Sequence, residues 1–149
     1  MENRDYIKVL IIIFVLFTGC YKYLPKEKVF EEQTDVSENV GRFLSNLTNY
    51  YERKEISRFL SFISPDFYRD KQLFEDYIRD KLSQMDKIHL QIIIDKILRR
   101  NDKIFVKINW HKSYLQKNRL IKENGKATLI LYKENKKLSV LQIEDLSPF

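Results

Sequence analysis

The sequence predicts one α+β domain in which helices precede an antiparallel sheet. Between residues 35 and 85 the apolar side chains recur every three or four residues, which is the period of an amphipathic helix. From Lys87 onward the period changes to two, which is typical of strands with one buried face. The chain has only three glycines and three prolines among 149 residues, so we expect long regular elements joined by short turns.

The segment before this domain has the pattern of a bacterial export signal. Residues 9–17 form an unbroken apolar run, which Thr18 and Gly19 separate from the only cysteine, Cys20. The run is too short to cross a hydrocarbon layer, which needs about 20 residues. The pattern resembles the lipobox of bacterial lipoproteins, in which a diacylglyceryl group is attached to the cysteine and the preceding peptide is removed.

This resemblance implies a signal peptide over residues 1–19, an acylated Cys20 with a tether to residue 34, and a single domain over residues 35–149. It places the protein in the cell envelope, lipid-anchored to a bacterial membrane after export. An uncleaved anchor and an ordinary secretory signal are the alternatives. Cleavage before Cys20 leaves 130 residues with an unchanged net charge of +6, and no second cysteine exists to form a disulfide.

Three helices are predicted first. Asp35 and Glu38 have the spacing of a capping box that opens the first helix. A short second helix follows Arg53-Lys54, and Ser64-Pro65 is interpreted either as the start of the third helix or as a turn. The third helix carries an apolar stripe formed by Leu73, Phe74, Tyr77, Ile78, Lys81, Leu82 and Met85.

Four strands are predicted next. The first covers residues 89–99 and turns at Asn101-Asp102, and the second covers residues 103–115. The dipeptide Asn124-Gly125 predicts a turn before the last two strands. Those strands cover residues 126–133 and 137–145. In the second strand Ile104, Val106, Ile108 and Trp110 face one way, and Lys107, Asn109 and His111 face the other.

This order of elements resembles the nuclear transport factor 2-like superfamily over about residues 35–149. The segments that carry the resemblance are residues 59–68, Ile108-Asn109-Trp110, and residues 138–143. The resemblance implies a curved four-stranded meander that wraps around the helices as a cone, often with a pocket at its mouth. The superfamily includes isomerases, dehydratases, ligand carriers and interaction modules, so the fold does not decide the function.

Several kinds of site are excluded by composition. The glycines are Gly19, Gly41 and Gly125, so the chain has neither a phosphate-binding glycine loop nor a G-x-S-x-G nucleophile motif. Two separated histidines and one cysteine do not have the spacing of a zinc site, and no metal or cofactor is expected. Nucleic acid is not an expected partner of an exported protein.

The resemblance suggests acid–base catalysis as the remaining candidate activity. Enzymes of this superfamily use an Asp or His inside the cone, with a Tyr or a second His that polarises the substrate. The candidates in this chain are Asp66, Asp95, Tyr68, His89, His111 and Tyr114. The alternation of the second strand places His111 on the face opposite the apolar stripe. In the first strand either face could be the buried one, so Asp95 could lie inside or outside the core. A carboxylate such as Asp66 can also stabilise a helix start without any catalytic role.

Two further groups of residues are binding candidates. Trp110 and Tyr114 lie on the apolar phase of the second strand and either line a ligand pocket or pack in the core. The first and third turns of a meander lie at one end of the sheet, and basic residues flank both turns here. This end could bind anionic headgroups, wall polymers or an acidic protein, or it could be an ordinary solvated surface. The basic residues of that end are Arg99, Arg100, Lys103, Lys133, Lys136 and Lys137, against Asp102 and Glu134.

We therefore expect a membrane-anchored envelope domain that binds a small apolar ligand or an envelope protein without catalysing a reaction. The alternative is an isomerase- or dehydratase-like enzyme that uses Asp66 or Asp95 as base and a tyrosine as electrophile. The sequence leaves open whether the domain acts alone or as a homodimer.

Overall fold

The computed structural model describes residues 26–149 except Arg69 and Lys136, and it describes side chains from residue 35 onward with the same exceptions. The chain divides into two units, Met1–Asp35 and Val36–Phe149. Cys20 and the predicted signal peptide lie outside the described residues. The fold described below is that of the second unit, to which the first helix leads.

The first helix, α1, covers Lys26–Glu52. The prediction that it begins at Asp35 is wrong, because residues 26–34, expected to be a tether, are already helical. These residues lack an apolar stripe, but Lys, Glu and Gln are good helix formers and no breaker follows Pro25. The predicted apolar stripe is confirmed within the second unit. Its buried members are Val40, Phe43, Leu44, Leu47 and Tyr51.

Two shorter helices follow: α2 covers Ile56–Leu60 and α3 covers Lys71–Ser83. Ser64-Pro65 is a turn, and it is Asp70 that caps α3, since its carboxylate accepts hydrogen bonds from the backbone N–H groups of Gln72 and Leu73 at 2.8 and 3.4 Å. The loop between the two helices bonds to the sheet through Val140, whose N–H donates to the Phe62 carbonyl at 2.7 Å.

The sheet contains four antiparallel strands in the order β1-β2-β3-β4. Their bounds are Asp86–Arg100, Lys103–Gln116, Arg119–Glu134 and Lys137–Asp145. The predicted turns at Asn101-Asp102 and around Asn135 are confirmed, and Asn101 and Asn135 both have positive φ angles. The α+β fold with helices followed by a four-stranded antiparallel meander is thus as the sequence predicts.

The turn predicted at Asn124-Gly125 is wrong. The chain turns at Lys117-Asn118, whose φ angles of 49° and 62° suit a two-residue hairpin, and Gly125 lies inside β3 opposite Trp110. A Cβ atom on Gly125 would lie 2.7 Å from Cζ2 of Trp110. Glycine is required at position 125 because the Trp110 indole lies against the backbone there. Asn124-Gly125 therefore looks like a turn signal in the sequence, but its glycine is needed for packing.

The core lies between the helices and one face of the sheet. In β2 every second residue from Ile104 to Tyr114 is buried, as the two-residue period predicts. The central members from the other strands are Leu90, Ala127, Leu129, Leu131 and Val140. The second half of β1 is different, because Ile93, Ile94 and Leu98 are all exposed. β1 is an edge strand, and Ile97 in this half is only partly buried against the core.

Candidate functional site

A cleft of about 860 Å³ lies between α3, the loop before it, and the last part of β4 with the residues that follow it. Its walls are largely aromatic and aliphatic, with a few charged groups. Four of the eight large apolar side chains that are exposed in the described part of the chain line this cleft. Those four are Tyr68, Leu73, Tyr77 and Leu146. The other apolar lining residues are Phe67, Phe74, Trp110 and Ile143, and the charged ones are Asp70, Lys81, Glu123 and Asp145.

Helix α3 forms one wall of the cleft, because only part of its apolar stripe is buried in the core. Phe74, Ile78 and Leu82 are buried against the sheet. Leu73 and Tyr77 belong to the same predicted stripe but are 68% and 49% exposed. Since both line the cleft, the outer part of the stripe faces the cleft instead of the core.

Trp110 joins the floor of the cleft to the segment that follows β4. Its ring lies against Gly125, and its indole N–H donates a hydrogen bond to the Leu146 carbonyl at 2.9 Å. The indole is 4% exposed, so one edge of a core side chain lines the cleft. Trp110 therefore packs in the core and also contributes an edge to the cleft wall.

An ion pair with a buried lysine lies next to this floor. Lys112 is 2% exposed, and its Nζ contacts Oε2 of Glu123 at 2.9 Å and the Pro148 carbonyl at 3.1 Å. The Tyr114 hydroxyl donates to Oε1 of Glu123 at 3.0 Å. Both oxygens of this cleft-lining carboxylate are thus occupied by partners from β2, and Tyr114 lies behind Glu123 and outside the cleft wall.

The ionisation of these groups follows from burial and from the pair itself. Burial lowers the pKa of Lys112, and its hydrogen bond with Glu123 opposes that change. For Glu123 burial acts to raise the pKa, but the hydrogen bond and the charge of Lys112 outweigh it and hold the pKa below its ordinary value. Burial, together with the bond to Glu123, raises the pKa of Tyr114. The lowered pKa of Glu123 favours its carboxylate form, and the raised pKa of Tyr114 favours its neutral phenol.

The segment after β4 is held by three side-chain donors. Trp110, Lys112 and Lys81 donate to the carbonyl oxygens of Leu146, Pro148 and Phe149, the last at 3.3 Å. The Phe149 ring is fully buried and meets the rings of Tyr51 and Phe59 edge-on, at centroid distances of 5.3 and 5.1 Å. This segment therefore forms one side of the cleft and covers part of the core.

The predicted catalytic candidates are not gathered in the cleft. Asp66 and Asp95 are exposed, and neither lines it. His89 is also exposed and lies 3.3 Å from Glu52, and His111 is exposed as the strand phase predicts. Tyr68 is the one candidate that lines the cleft with an accessible hydroxyl. The carboxylates proposed as bases thus do not line the cleft that Tyr68 lines.

Sequence reasoning missed the Lys112–Glu123 pair, although one signal for Lys112 was present. Lys112 continues the buried phase of Ile104 to Trp110, where a lysine is unusual unless it is paired. Glu123 lies directly opposite Lys112 in the β2–β3 register. Placing the turn at Asn124-Gly125 separates these two residues, whereas the turn at Lys117-Asn118 brings them together.

The predicted basic residues do lie at one end of the sheet. The backbone N–H of Lys133 donates to the Asp102 carbonyl at 3.0 Å, so the first and third turns are adjacent. Arg99, Arg100, Lys103 and Lys137 are exposed there, and Lys133 is half-buried. Lys136 is outside the described residues.

Within residues 35–149, apart from positions 69 and 136, no cluster of three or more metal-ligating side chains occurs. No helix in that part of the chain is both long and apolar enough to span a bilayer.

No protein-family profile and no curated protein matches the sequence. Solved structures do match its fold. A nuclear transport factor 2-like superfamily protein from Salmonella enterica serovar Typhimurium is 12% identical with a TM-score of 0.66, over 78% of this chain and 94% of that one. A proposed dehydratase of the same family from Streptomyces avermitilis is 12% identical with a TM-score of 0.64, over 77% and 99%.

Bd1075 from Bdellovibrio bacteriovorus is 17% identical with a TM-score of 0.61 over 80% of this chain, which spans only 41% of that longer protein. Identities this low establish a common architecture and leave activity open. The helices followed by a four-stranded antiparallel sheet thus give this chain the nuclear transport factor 2-like α+β fold.

Proposed function

We propose that this protein is a lipid-anchored domain of the bacterial cell envelope that binds a small, largely apolar ligand in the cleft beside α3. The observation that carries the ligand site is the clustering of Tyr68, Leu73, Tyr77 and Leu146 around one concavity. Exposed apolar side chains gathered in one place indicate a binding surface, whereas isolated ones need no explanation.

The size and chemistry of the cleft support a small ligand. Its volume of about 860 Å³ lies within the usual range of roughly 300–1,000 Å³ for small-molecule pockets. Aromatic and aliphatic walls supply most of the contact, and a few polar groups orient the occupant. Lys81 is such a group, since its Nζ is 2.7 Å from the Tyr77 hydroxyl at the cleft wall.

Catalysis by an acid–base pair has less support. A general base works best when its pKa lies near the operating pH. Glu123 is held below its ordinary pKa by Lys112, and Asp70 is committed to capping α3. Asp66 and Asp95 lie outside the cleft. The proposed dehydratase among the structural neighbours keeps an isomerase- or dehydratase-like enzyme as the second candidate, with Tyr68 as its electrophile.

The anchor in this proposal rests on the sequence alone. The apolar run, Gly19 and the single Cys20 have the order of a lipobox. A diacylglyceryl group supplies two chains, and two chains hold a protein on a membrane durably, whereas one does so only marginally. Such an anchor would hold the folded unit at the membrane.

Native mass spectrometry of the full chain, released from membranes in mild detergent, tests the ligand site. We expect a discrete small mass on the wild-type protein and its loss in Leu73→Asp, because a carboxylate disfavours an apolar occupant. Leu120→Asp is the matched control, since Leu120 is similarly exposed, at 60% against 68%, but lies outside the cleft. A wild-type protein without adduct, or equal loss in both variants, would contradict the proposal.

A further inference from the structure

One end of the sheet carries concentrated positive charge, and we call it the basic end. It comprises Arg99, Arg100, Lys103, Lys133 and Lys137, around the adjacent β1–β2 and β3–β4 turns. The carboxylates at these turns are Asp102 and Glu134. Within the described residues, neither these nor any other carboxylate lies within 4.0 Å of Lys103, Lys133 or Lys137. Their ammonium groups are therefore available to an external anion.

A second concavity opens at this basic end. This groove has a volume of about 540 Å³ and lies between the first turns of α1 in the Val36–Phe149 unit, the residues after α2 and the β3–β4 hairpin. Lys133 and Lys137 supply its charge, no carboxylate lines it, and Phe43 and Phe62 give it an aromatic side. The other lining residues are Val36, Asn39, Asn46, Ser61, Ile104 and Leu138.

The connectivity of the chain joins this groove to the anchor. Val36, the first residue of the folded unit, and Asn39, one turn later, both line the groove. The polypeptide that leads from Cys20 therefore enters the unit at the basic end. Fifteen residues lie between Cys20 and Val36, so with Cys20 acylated the end at which the chain enters would be the end attached most directly to the membrane.

We infer that the basic end is a second binding surface, and that Lys103, Lys133, Lys137 and the groove between them bind anionic phospholipid headgroups of the membrane that holds the anchor. The inference rests on the lipid anchor of the proposed function for its geometry. Cationic side chains that stand within a Debye length of an anionic leaflet are attracted to it. The aromatic side of the groove suits the glycerol region beneath a headgroup.

The consequence is a fixed orientation in which the ligand cleft lies at the end of the sheet away from the bilayer. The cleft contains Asp145 at the far end of β4, whereas Lys137 begins the same strand at the basic end. Eight residue steps along a strand correspond to about 26 Å. The two concavities also differ in charge, because three carboxylates and one lysine line the cleft, while two lysines and no carboxylate line the groove.

Hydrogen exchange of the full acylated chain in nanodiscs tests this inference. We expect backbone amides of residues 99–103 and 133–138 to be protected roughly tenfold or more in discs rich in phosphatidylglycerol relative to phosphatidylcholine discs. High salt should remove the difference, because it screens exposed charges. Lys103→Glu, Lys133→Glu and Lys137→Glu together should abolish it.

The matched control is Lys117→Glu, Arg119→Glu and Lys122→Glu, which reverses three exposed cations around the β2–β3 turn at the opposite end. This variant should keep the protection. Lys103→Gln, Lys133→Gln and Lys137→Gln together form a second variant, which removes the three charges without reversing them and should also lose the protection. Equal protection in both lipids, or equal loss in the test and control variants, would overturn the inference.

Failure of the anchor and failure of the lipid surface are distinguishable in this experiment. The intact mass of the protein shows whether the chain is acylated. An acylated chain without lipid-dependent protection contradicts the basic-end inference alone. An unacylated chain contradicts the anchor, and lipid-dependent protection of that chain would still support the surface.

Discussion

Two buried tyrosines differ in whether their hydroxyl groups are satisfied. Tyr114 is bonded to Glu123, whereas the Tyr51 hydroxyl has no hydrogen-bond partner among the described residues although the side chain is fully buried. Burial also raises the pKa of Tyr51, so its phenol stays neutral. A buried hydroxyl without a partner loses its water and gains nothing in return.

Removing the two hydroxyls should therefore have opposite effects. We expect Tyr51→Phe to stabilise the protein by about 1 kcal/mol and Tyr114→Phe to destabilise it by about 1 kcal/mol. Urea unfolding monitored by the fluorescence of Trp110, the only tryptophan, measures both free energies of unfolding. A loss of stability in Tyr51→Phe would show that its hydroxyl is hydrogen-bonded after all.

Glu123 should make stability depend on pH in the acid range. Burial acts to raise the pKa of Glu123, but the hydrogen bond and the charge of Lys112 outweigh it, so the pKa lies below the ordinary value of 4.5. A carboxyl with a lower pKa in the folded state stabilises the protein above its unfolded pKa, and that contribution is lost as pH falls through the folded pKa. The stabilisation is thus complete at neutral pH, begins to decline near pH 4.5 and is lost as the pH falls through the lower folded pKa.

We expect Glu123→Gln to lose about 1–2 kcal/mol at neutral pH and to show a shallower decline of stability in acid than the wild type. The loss stays below that of a fully buried pair, because the Glu123 side chain is 37% exposed. Glu134→Gln, an exposed substitution on the same strand, is the control and should match the wild type. Identical acid limbs for both variants would contradict the prediction.

At the scale of the elements, the sequence predicts what periodicity and single turn residues determine. The stripes of α1 and α3 and the alternation of β2 appear directly in the sequence, and burial confirms them. The start of α1 was missed because residues 26–34 are helical without an apolar face. The β2–β3 turn was missed because Asn124-Gly125 looks like a turn signal. Gly125 is in fact a glycine because the Trp110 ring leaves no room for a side chain, and that contact arises only once the strands pair.

The two glycines of the folded unit provide a matched test of that explanation. Gly125→Ala should cost about 1–3 kcal/mol, because the new methyl group would overlap the Trp110 ring in a packed sheet. Gly41→Ala, inside α1 with no atom within 4 Å of the new methyl group, should gain about 0.5–1 kcal/mol. Thermal unfolding gives the two signs, and a shift in Trp110 fluorescence should accompany only Gly125→Ala. A neutral Gly125→Ala would restore the turn interpretation.

At the scale of the whole molecule, the candidate site was predictable only in part. Trp110 was found because it continues an apolar phase, and the cleft does include it. The predicted stripe of α3 already placed Leu73 and Tyr77 together, but only the packing of α3 and the loop before it brings them to Tyr68 and Leu146. The basic end was predictable because a meander places alternate turns together by topology alone.

The lipid anchor is the whole-molecule prediction on which membrane location depends. Metabolic labelling with an alkyne fatty acid should mark the wild-type chain at Cys20 and yield a processed form shorter by 19 residues. Cys20→Ser should remain unlabelled and unprocessed, because the serine hydroxyl cannot form the thioether that precedes cleavage.

A displaced thiol separates the lipobox from the mere presence of a cysteine. Cys20→Ser combined with Tyr23→Cys keeps one thiol, but Lys22 precedes it where the lipobox has a small residue. We expect this variant to behave as Cys20→Ser does, with no label and no shortening. Because the apolar run over residues 9–17 is intact in all three proteins, each should still reach the membrane. Labelling of the displaced cysteine, or a wild-type protein cut without acylation, would reduce the segment to an ordinary secretory signal and leave the folded unit without a lipid anchor.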